Sequence, residues 1–419
     1  MPVPLPAVHR LLPGVFYGWV VVVGTSVLSF VTVGVGFYGL PVLLDGLVAL
    51  RGWAPAAVSG ATSLYFVVAA VTGSLVGRGV DRLGARGFIA AGAVLMACAL
   101  VGIGRVERVG ELYLLYPLMA AGFAMSAGVP TSAIVTRWFV ARRALAMSIS
   151  QTGVSLGGIV LVPLAAGILV RDGLAATTGM LAVLVLVVAL PTVLLVLRSD
   201  PASHGLQPDA GRRPPPENPF LRDEVQQRPW RTREAVRTAP FWTLAGAFST
   251  VLFAQQGMSV HLIAFLREPL GASNAALAVS AMAAGSVVGR LIVGSFADRV
   301  EKRLVAVVLV LVQAGAYLVL SAADGPVGLL AASAALGLTI GNLFMFQSLL
   351  VGEIFGTTSF GTVLGMLTLV SQVIGGLGPF ALGLLSQHFG AYQPAIRMLV
   401  VLTLISALLL TRLRPARRA

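Results

Sequence analysis

One cysteine, Cys98, stands among the 419 residues, so no internal disulfide can form. Charge is scarce: only 11% of residues are Asp, Glu, Lys or Arg, well under the roughly 25% of a soluble domain. The spacings of a metal site, a nucleophile with its base, or a phosphate-cradling loop are all missing, which argues against an enzyme and predicts no metal and no cofactor. Nor does any segment alternate polar and apolar residues in the manner of a barrel strand. The first fourteen residues lack a basic stretch followed by a short apolar core, so no cleaved signal peptide is expected and the first apolar run should remain.

What fills the chain instead is apolar residues, 57% of the total, gathered into runs of about twenty. That is the length a helix needs to cross a hydrocarbon core about 30 Å thick at 1.5 Å per residue. Runs begin near Phe16, Ala56, Phe88, Leu112, Ala144 and Leu174, and again near Phe241, Ala275, Leu304, Val327, Thr362 and Pro394. The expected fold is therefore all-α and membrane-spanning, with twelve transmembrane helices (spans 1 to 12) in two six-helix bundles. The expected divisions are residues 1–197, a linker over 198–240 and residues 241–419. The linker is rich in proline, from Pro201 to Pro240, and reads as an irregular connector with a short helix near Arg231 to Arg237.

The net charge of +13 raises the question of nucleic acid, but the placement of the charges answers it. Arg51, Arg105, Arg108, Arg171, Arg267 and Arg397 are the only basic residues on odd-numbered connections. The rest, Arg290 apart, crowd the termini and the even-numbered connections. This is the bias of cytoplasmic loops, and it predicts a multi-pass protein of a bacterial-type inner membrane with both termini in the cytoplasm. Lipid is then the expected surroundings, nucleic acid is no partner, and a monomer is expected.

The two halves repeat each other. Gly77-Arg78-Gly79-Val80-Asp81-Arg82-Leu83-Gly84-Ala85-Arg86 joins spans 2 and 3, and Gly294-Ser295-Phe296-Ala297-Asp298-Arg299 joins spans 8 and 9. At nearly the same offset, Arg137-Trp138-Phe139 at the end of span 4 is echoed by Glu353-Ile354-Phe355 at the end of span 10. A parallel repeat is expected of a transporter built from two bundles. The loop between spans 2 and 3 resembles the signature of the major facilitator superfamily. A carboxylate such as Asp81 can face a helix N-terminus and the arginines can pair across the cytoplasmic side, so that Gly77, Asp81, Arg82, Arg86, Asp298, Arg299, Arg137 and Glu353 are expected to form conformational latches. The competing reading, that the arginines only fix topology, leaves the repeated Gly and Asp positions without a reason.

Arg290 is the most informative residue. It lies eight residues before Asp298, roughly 12 Å from the cytoplasmic end of span 8 and near the bilayer centre. A charge there costs at least about 2.5 kcal/mol, which makes it a functional candidate. Asp45, Glu111, Glu268 and Glu353 all sit at span ends, so an anionic substrate is the natural partner, and a planar guanidinium matches a carboxylate with two parallel N–H donors. Ser286 stands one turn earlier on the same face. Asn342 and Phe346 in span 10, Gln151 in span 5, Gln256 in span 7, Gln372 in span 11 and Tyr65 in span 2 reach a similar depth. For the polar ones a plain interhelical hydrogen bond is an equal alternative to substrate contact, and Phe346 alone more often means packing. His261 is the only histidine well inside a span, and imidazole can carry a proton near neutrality. It is six residues from Arg267, roughly 9 Å from the outer surface, so a hydrogen-bonded gate residue is the competing reading.

Several stretches resemble the monocarboxylate transporter family and its bacterial relatives, a sister group to the oxalate/formate antiporters. They are Tyr17-Gly18-Trp19-Val20-Val21-Val22, Arg137-Trp138-Phe139 with Arg142-Arg143-Ala144-Leu145-Ala146, Ser155-Leu156-Gly157-Gly158, His261-Leu262-Ile263-Ala264-Phe265-Leu266, Gly289-Arg290-Leu291-Ile292-Val293-Gly294 and Glu353-Ile354-Phe355-Gly356. The resemblance implies that Arg290 binds a substrate carboxylate and that a proton is cotransported, with His261 in a coupling role. Animal members carry a lysine where Phe37 or Tyr38 stands and an aspartate where Ser286 stands. The antiporters add a lysine in span 11, and Thr362 to Leu385 has none. One fixed cation suits a monocarboxylate such as lactate or pyruvate better than a dianion. An organic-anion antiporter is the alternative. A multidrug exporter and a membrane receptor are weaker readings, since the centre holds a lone cation and there is no sensor domain.

Overall fold

The computed structural model describes residues 15–139, 142–211, 232–296, 300–323, 325–355 and 360–413. Sixteen α-helices make up these parts. They are α1 (Tyr17–Gly36), α2 (Leu40–Arg51), α3 (Pro55–Leu83), α4 (Ala85–Ile103), α5 (Val109–Ser126), α6 (Val129–Trp138), α7 (Arg143–Pro191), α8 (Thr232–Ala235), α9 (Ala239–Leu270), α10 (Ala272–Phe296), α11 (Lys302–Ala322), α12 (Pro326–Thr339), α13 (Asn342–Phe355), α14 (Phe360–Gly375), α15 (Gly378–Phe389) and α16 (Tyr392–Thr411). No strand occurs among the described residues.

Among the described residues eleven segments are long and apolar enough to cross a membrane, and one of them, Leu145–Val196, has 52 residues. A straight helix of that length would reach roughly 78 Å, far beyond any bilayer. It is two spans. Gly173, at φ 82° and ψ −174°, turns the chain between them, a conformation open to glycine because it has no Cβ. The count of twelve spans read from the apolar runs therefore stands. The short helix expected in the linker is α8, while residues 212–231 lie outside the described residues.

Four spans are each made of two helices: span 1 (α1, α2), span 4 (α5, α6), span 10 (α12, α13) and span 11 (α14, α15). In span 10 the turn is Ile340-Gly341, with Gly341 at φ 73°, and in span 4 it is Ala127-Gly128, with Gly128 at φ 61°. Both glycines hold the left-handed region that a Cβ disfavours.

By contact the chain forms two compact units, residues 1–40 with 68–217, and residues 41–67 with 218–419. Within each, small residues bring backbones together. Lipid tails offer no hydrophobic force between helices, so close packing must hold them. In the first unit, a Cβ on Gly34 would come 2.9 Å from the Gly157 Cα, and one on Gly92 2.6 Å from the Gly122 carbonyl oxygen. In the second, a Cβ on Gly285 would strike the Ala334 carbonyl, and one on Gly337 the Met282 carbonyl. α10 and α12 are locked together at these points, which fixes Arg290 on α10 against the break in span 10. Below that break, Phe346 is buried in an apolar core with Phe241, Phe248, Leu343, Leu350 and Phe355.

Candidate functional site

The break in span 10 is where the site is built. The first hydrogen bond after it runs from the Met345 N–H to the Gly341 carbonyl. The amides at the start of α13 therefore have no helical acceptor behind them, and those of Gly341 and Phe344 have no partner. On the other side α12 ends in carbonyls, and Asn342 Nδ2 donates across the gap to the Leu338 carbonyl at 2.7 Å.

Arg290 lies half-buried on α10 and lays its guanidinium over this turn. Its Nε is 2.8 Å and its Cζ 3.4 Å from where a Cβ on Gly341 would be, so only glycine leaves room for it. Its Nη2 donates to Ser286 Oγ one turn back, at 3.0 Å. Gly289 opens the neighbouring face: its Cβ position is 2.9 Å from Asn342 Nδ2. Arg290, Ser286 and Asn342 thus meet at one corner, and Phe346 closes the next turn of α13. A cation beside the positive end of a helix is electrostatically unfavourable by itself. The corner gains stability from an anion, because guanidinium and helix amides are all donors.

The other sequence candidates stand elsewhere. Gln256 Nε2 on α9 donates to Gln372 Oε1 on α14 at 2.7 Å, which binds the two helices together. Tyr65 is buried on α3 with its ring 5.5 Å from that of Phe66, and Phe66 packs 2.9 Å from the Cβ position of Gly376, at the break of span 11. Gln151 belongs to the first unit, on an exposed face of α7.

His261 is fully buried on α9 between two partners. Its Nε2 is 2.9 Å from the Pro379 carbonyl and its Nδ1 3.0 Å from the Tyr392 hydroxyl. A carbonyl only accepts, so Nε2 carries the hydrogen and, in the neutral ring, Nδ1 accepts from the tyrosine. Nearby in the same unit, Asp45 Oδ1 on α2 lies 3.4 Å from Arg267 Nη1 on α9. The sequence placed Asp45 at a span end. It lies six residues before the end of α2, its side chain only 7% exposed and paired.

Among the latch residues, Arg86 in the first unit donates to the carbonyls of Val193 and Leu194, both at 3.2 Å. The Tyr17 hydroxyl donates to the Val196 carbonyl at 2.6 Å and Trp138 Nε1 to that of Arg198 at 2.7 Å. Residues Thr192–Val196 form a π-helical turn, which leaves carbonyls for these donors. The Tyr-Gly-Trp and Arg-Trp-Phe stretches therefore meet at the end of span 6, where Trp19 and Phe139 rings stand 4.7 Å apart. Arg137 is half-buried in the last turn of α6, and Gly77 lies in α3 with the Val129 side chain 3.6 Å from its Cβ position. In the second unit Glu353 pairs with Lys302 at 3.1 Å. The side chains of Asp81 and Arg82, and all of Asp298 and Arg299, lie outside the described residues.

Sequence reasoning missed Gly341, Tyr392, and the role of Asp45 with Arg267. Tyr392 was legible as a polar-tipped aromatic at a span end, whereas nothing set Gly341 apart from the other glycines of the chain.

The family model described as Major Facilitator Superfamily matches residues 26–379 and 263–419. A transporter of Gibberella moniliformis named "MFS-type transporter" is 29% identical over 298 residues, 68% of this chain, which spans 63% of that relative's length. Bos taurus "Monocarboxylate transporter 13" is 28% identical over 387 residues, 90% of this chain and 84% of the relative. The "Oxalate:formate antiporter" of Oxalobacter formigenes is 29% identical over 204 residues, 47% of this chain and 44% of the relative. Among solved structures, a bacterial homologue of the human lysosomal transporter Spinster, inward-facing and unoccupied, gives a TM-score of 0.66 at 18% identity, covering 94% of this chain and 96% of that one.

Proposed function

Since the chain belongs to the Major Facilitator Superfamily, a family of membrane transporters and not enzymes, we propose that it carries small monocarboxylates of the lactate or pyruvate kind. A proton moves with the substrate, by alternating access in a bacterial-type inner membrane. One observation carries the reading: the Arg290 guanidinium, held by Ser286 and seated on Gly341 at the break of span 10. It offers a planar pair of donors beside unpartnered helix amides, a setting that fits one carboxylate. The similarity to the bovine protein named as a monocarboxylate transporter supports the same class.

Proton movement needs a further group, because a guanidinium–carboxylate pair is neutral and Arg290 does not titrate. His261 is assigned that role, with Tyr392 as its neighbour. Uptake of labelled acids into proteoliposomes, with and without an imposed pH gradient, is the test. Arg290→Lys and Arg290→Gln should both raise KM or abolish uptake. Normal uptake in both overturns the carboxylate reading. His261→Gln should retain binding and flatten the pH profile, and an unchanged profile removes His261 from coupling.

A second reading, an organic-anion antiporter, draws on the similarity to the oxalate:formate antiporter. It predicts that uptake needs an anion inside the vesicle and ignores the pH gradient.

A further inference from the structure

A cavity of about 440 Å³ opens where α11 begins and α16 ends, lined by Arg303, Thr411, Arg412 and Leu413. Both helices are long and apolar enough to cross a membrane, so the cavity lies at the level where hydrocarbon gives way to headgroups. From that level each helix runs inward with exposed apolar side chains one turn apart, Leu304 and Val308 on α11 and Leu408 and Leu404 on α16. The cavity therefore borders surface that acyl chains cover. Arg303 is held in place: its Nε and Nη2 both lie 2.9 Å from Glu301 Oε1, and its Nη1 donates to the Leu413 carbonyl at 3.2 Å. Glu301 thereby offsets its charge, as Glu353 offsets that of Lys302 at 3.1 Å. Arg412 differs. Its side chain is exposed and makes no ion pair or hydrogen bond with any described residue. Carbonyls at the end of α16 are already taken, Leu408 and Leu409 by the Arg412 amide, Leu408 also by the Thr411 hydroxyl, and Leu410 by the Leu413 amide.

One guanidinium is thus uncompensated at this corner, and the positive end of α11 beside it adds the same sign. A phosphodiester carries one negative charge and two free oxygens, which a guanidinium meets with parallel N–H donors. Basic pockets between membrane helices at headgroup level are where anionic lipids are recognised. We propose that the cavity binds the headgroup of an anionic phospholipid, with the Arg412 guanidinium on the phosphodiester and the acyl chains lying along α11 and α16. A soluble phosphate meets the same guanidinium but gains nothing from the apolar surface next to it, so the occupant is a lipid. A zwitterionic lipid brings its own cation to a site that already has one in excess, and is disfavoured. The site lies apart from Arg290 and does not depend on the identity of the substrate.

The experiment is thermal unfolding of the purified full chain in detergent, titrated with phosphatidylglycerol, with phosphatidylcholine of the same acyl chains, or with inorganic phosphate. A ligand that binds the folded state raises the midpoint in proportion to its affinity. Phosphatidylglycerol should raise it by a few degrees, and the other two should not. Arg412→Gln should need roughly fivefold more phosphatidylglycerol for half of the shift. Thr411→Glu, which sets an anion in the cavity, should weaken the response at least as much and serves if Arg412→Gln fails to fold. Arg397→Gln removes an exposed arginine toward the other end of α16 and should respond as the wild type does. Equal shifts with phosphatidylglycerol and phosphatidylcholine overturn the charge assignment. An equal shift with inorganic phosphate overturns the lipid. An unchanged response in Arg412→Gln and Thr411→Glu, or an equal weakening in Arg397→Gln, means that attraction is spread over the surface and overturns the site.

Discussion

Arg290 and Gly341 depend on each other. The arginine can lie over span 10 because residue 341 has no side chain, and the turn can form because glycine tolerates φ 73°. Gly341→Ala should therefore act on the site through Arg290. The new methyl displaces a guanidinium atom 2.8 Å away and strains the turn by about 1–2 kcal/mol. The expected outcome is normal membrane insertion with KM for lactate raised about tenfold, read by uptake kinetics on the purified variant. At this scale the sequence was informative where chemistry stands out from its background. A guanidinium, an amide or an imidazole in an apolar run is conspicuous, so Arg290, Asn342 and His261 could be picked out. Gly341 could not, because it is one of 48 glycines spread over the chain. Which of Gln151, Gln256 and Gln372 would pair also stayed open, since the choice depends on how helices turn their faces. The structure pairs Gln256 with Gln372.

Span number and limits were legible because a bilayer imposes a length, and twenty apolar residues meet it whatever their order. The interruptions inside spans were not, because a turn such as Ile340-Gly341 costs no hydrophobicity and leaves the run unbroken. The packing of α10 on α12 was equally hidden. Gly285 and Gly337 each lie against a carbonyl of the other helix, Ala334 and Met282, with no space for a methyl. Gly337→Val should push the two helices apart, and with them the Arg290 corner. A loss of about 1–3 kcal/mol is expected for overpacking of this kind. It should appear as a lower melting temperature in detergent, accompanied by loss of lactate binding. Val substituted at Gly110, where nothing stands within 4 Å of the Cβ position, serves as the control with both readouts unchanged.

On the scale of the whole chain, the duplicated motifs and basic loops disclosed a two-bundle transporter, while the grouping of residues 41–67 with 218–419 had no counterpart in the sequence. That grouping comes from contacts made along α2 and α3. Ser63 accepts from the Phe380 amide at 2.9 Å, and Asp45 pairs with Arg267. The carboxylate is buried and the guanidinium 37% exposed, so the pair is partly screened. Removing one partner should cost more than removing both, because a lone buried charge is worse than none. Asp45→Asn and Arg267→Gln should each lower stability by about 1–2 kcal/mol. The double variant should lose less than the sum, as read by thermal unfolding in detergent. Additive losses would mean that the pair has no energetic coupling.

The interruption of span 10 also makes a claim about water. Backbone without a helical partner survives at membrane depth only where protein or water covers it. The amides of Gly341 and Phe344 have no protein acceptor, so deuterium should reach them while the amides of α12 and the later turns of α13 stay protected. In exchange measurements followed by mass spectrometry, a peptide spanning residues 338–346 should label within the shortest times and its neighbours only over hours. Saturating lactate should slow that one peptide. Uniform protection along span 10 would mean that the break is dry.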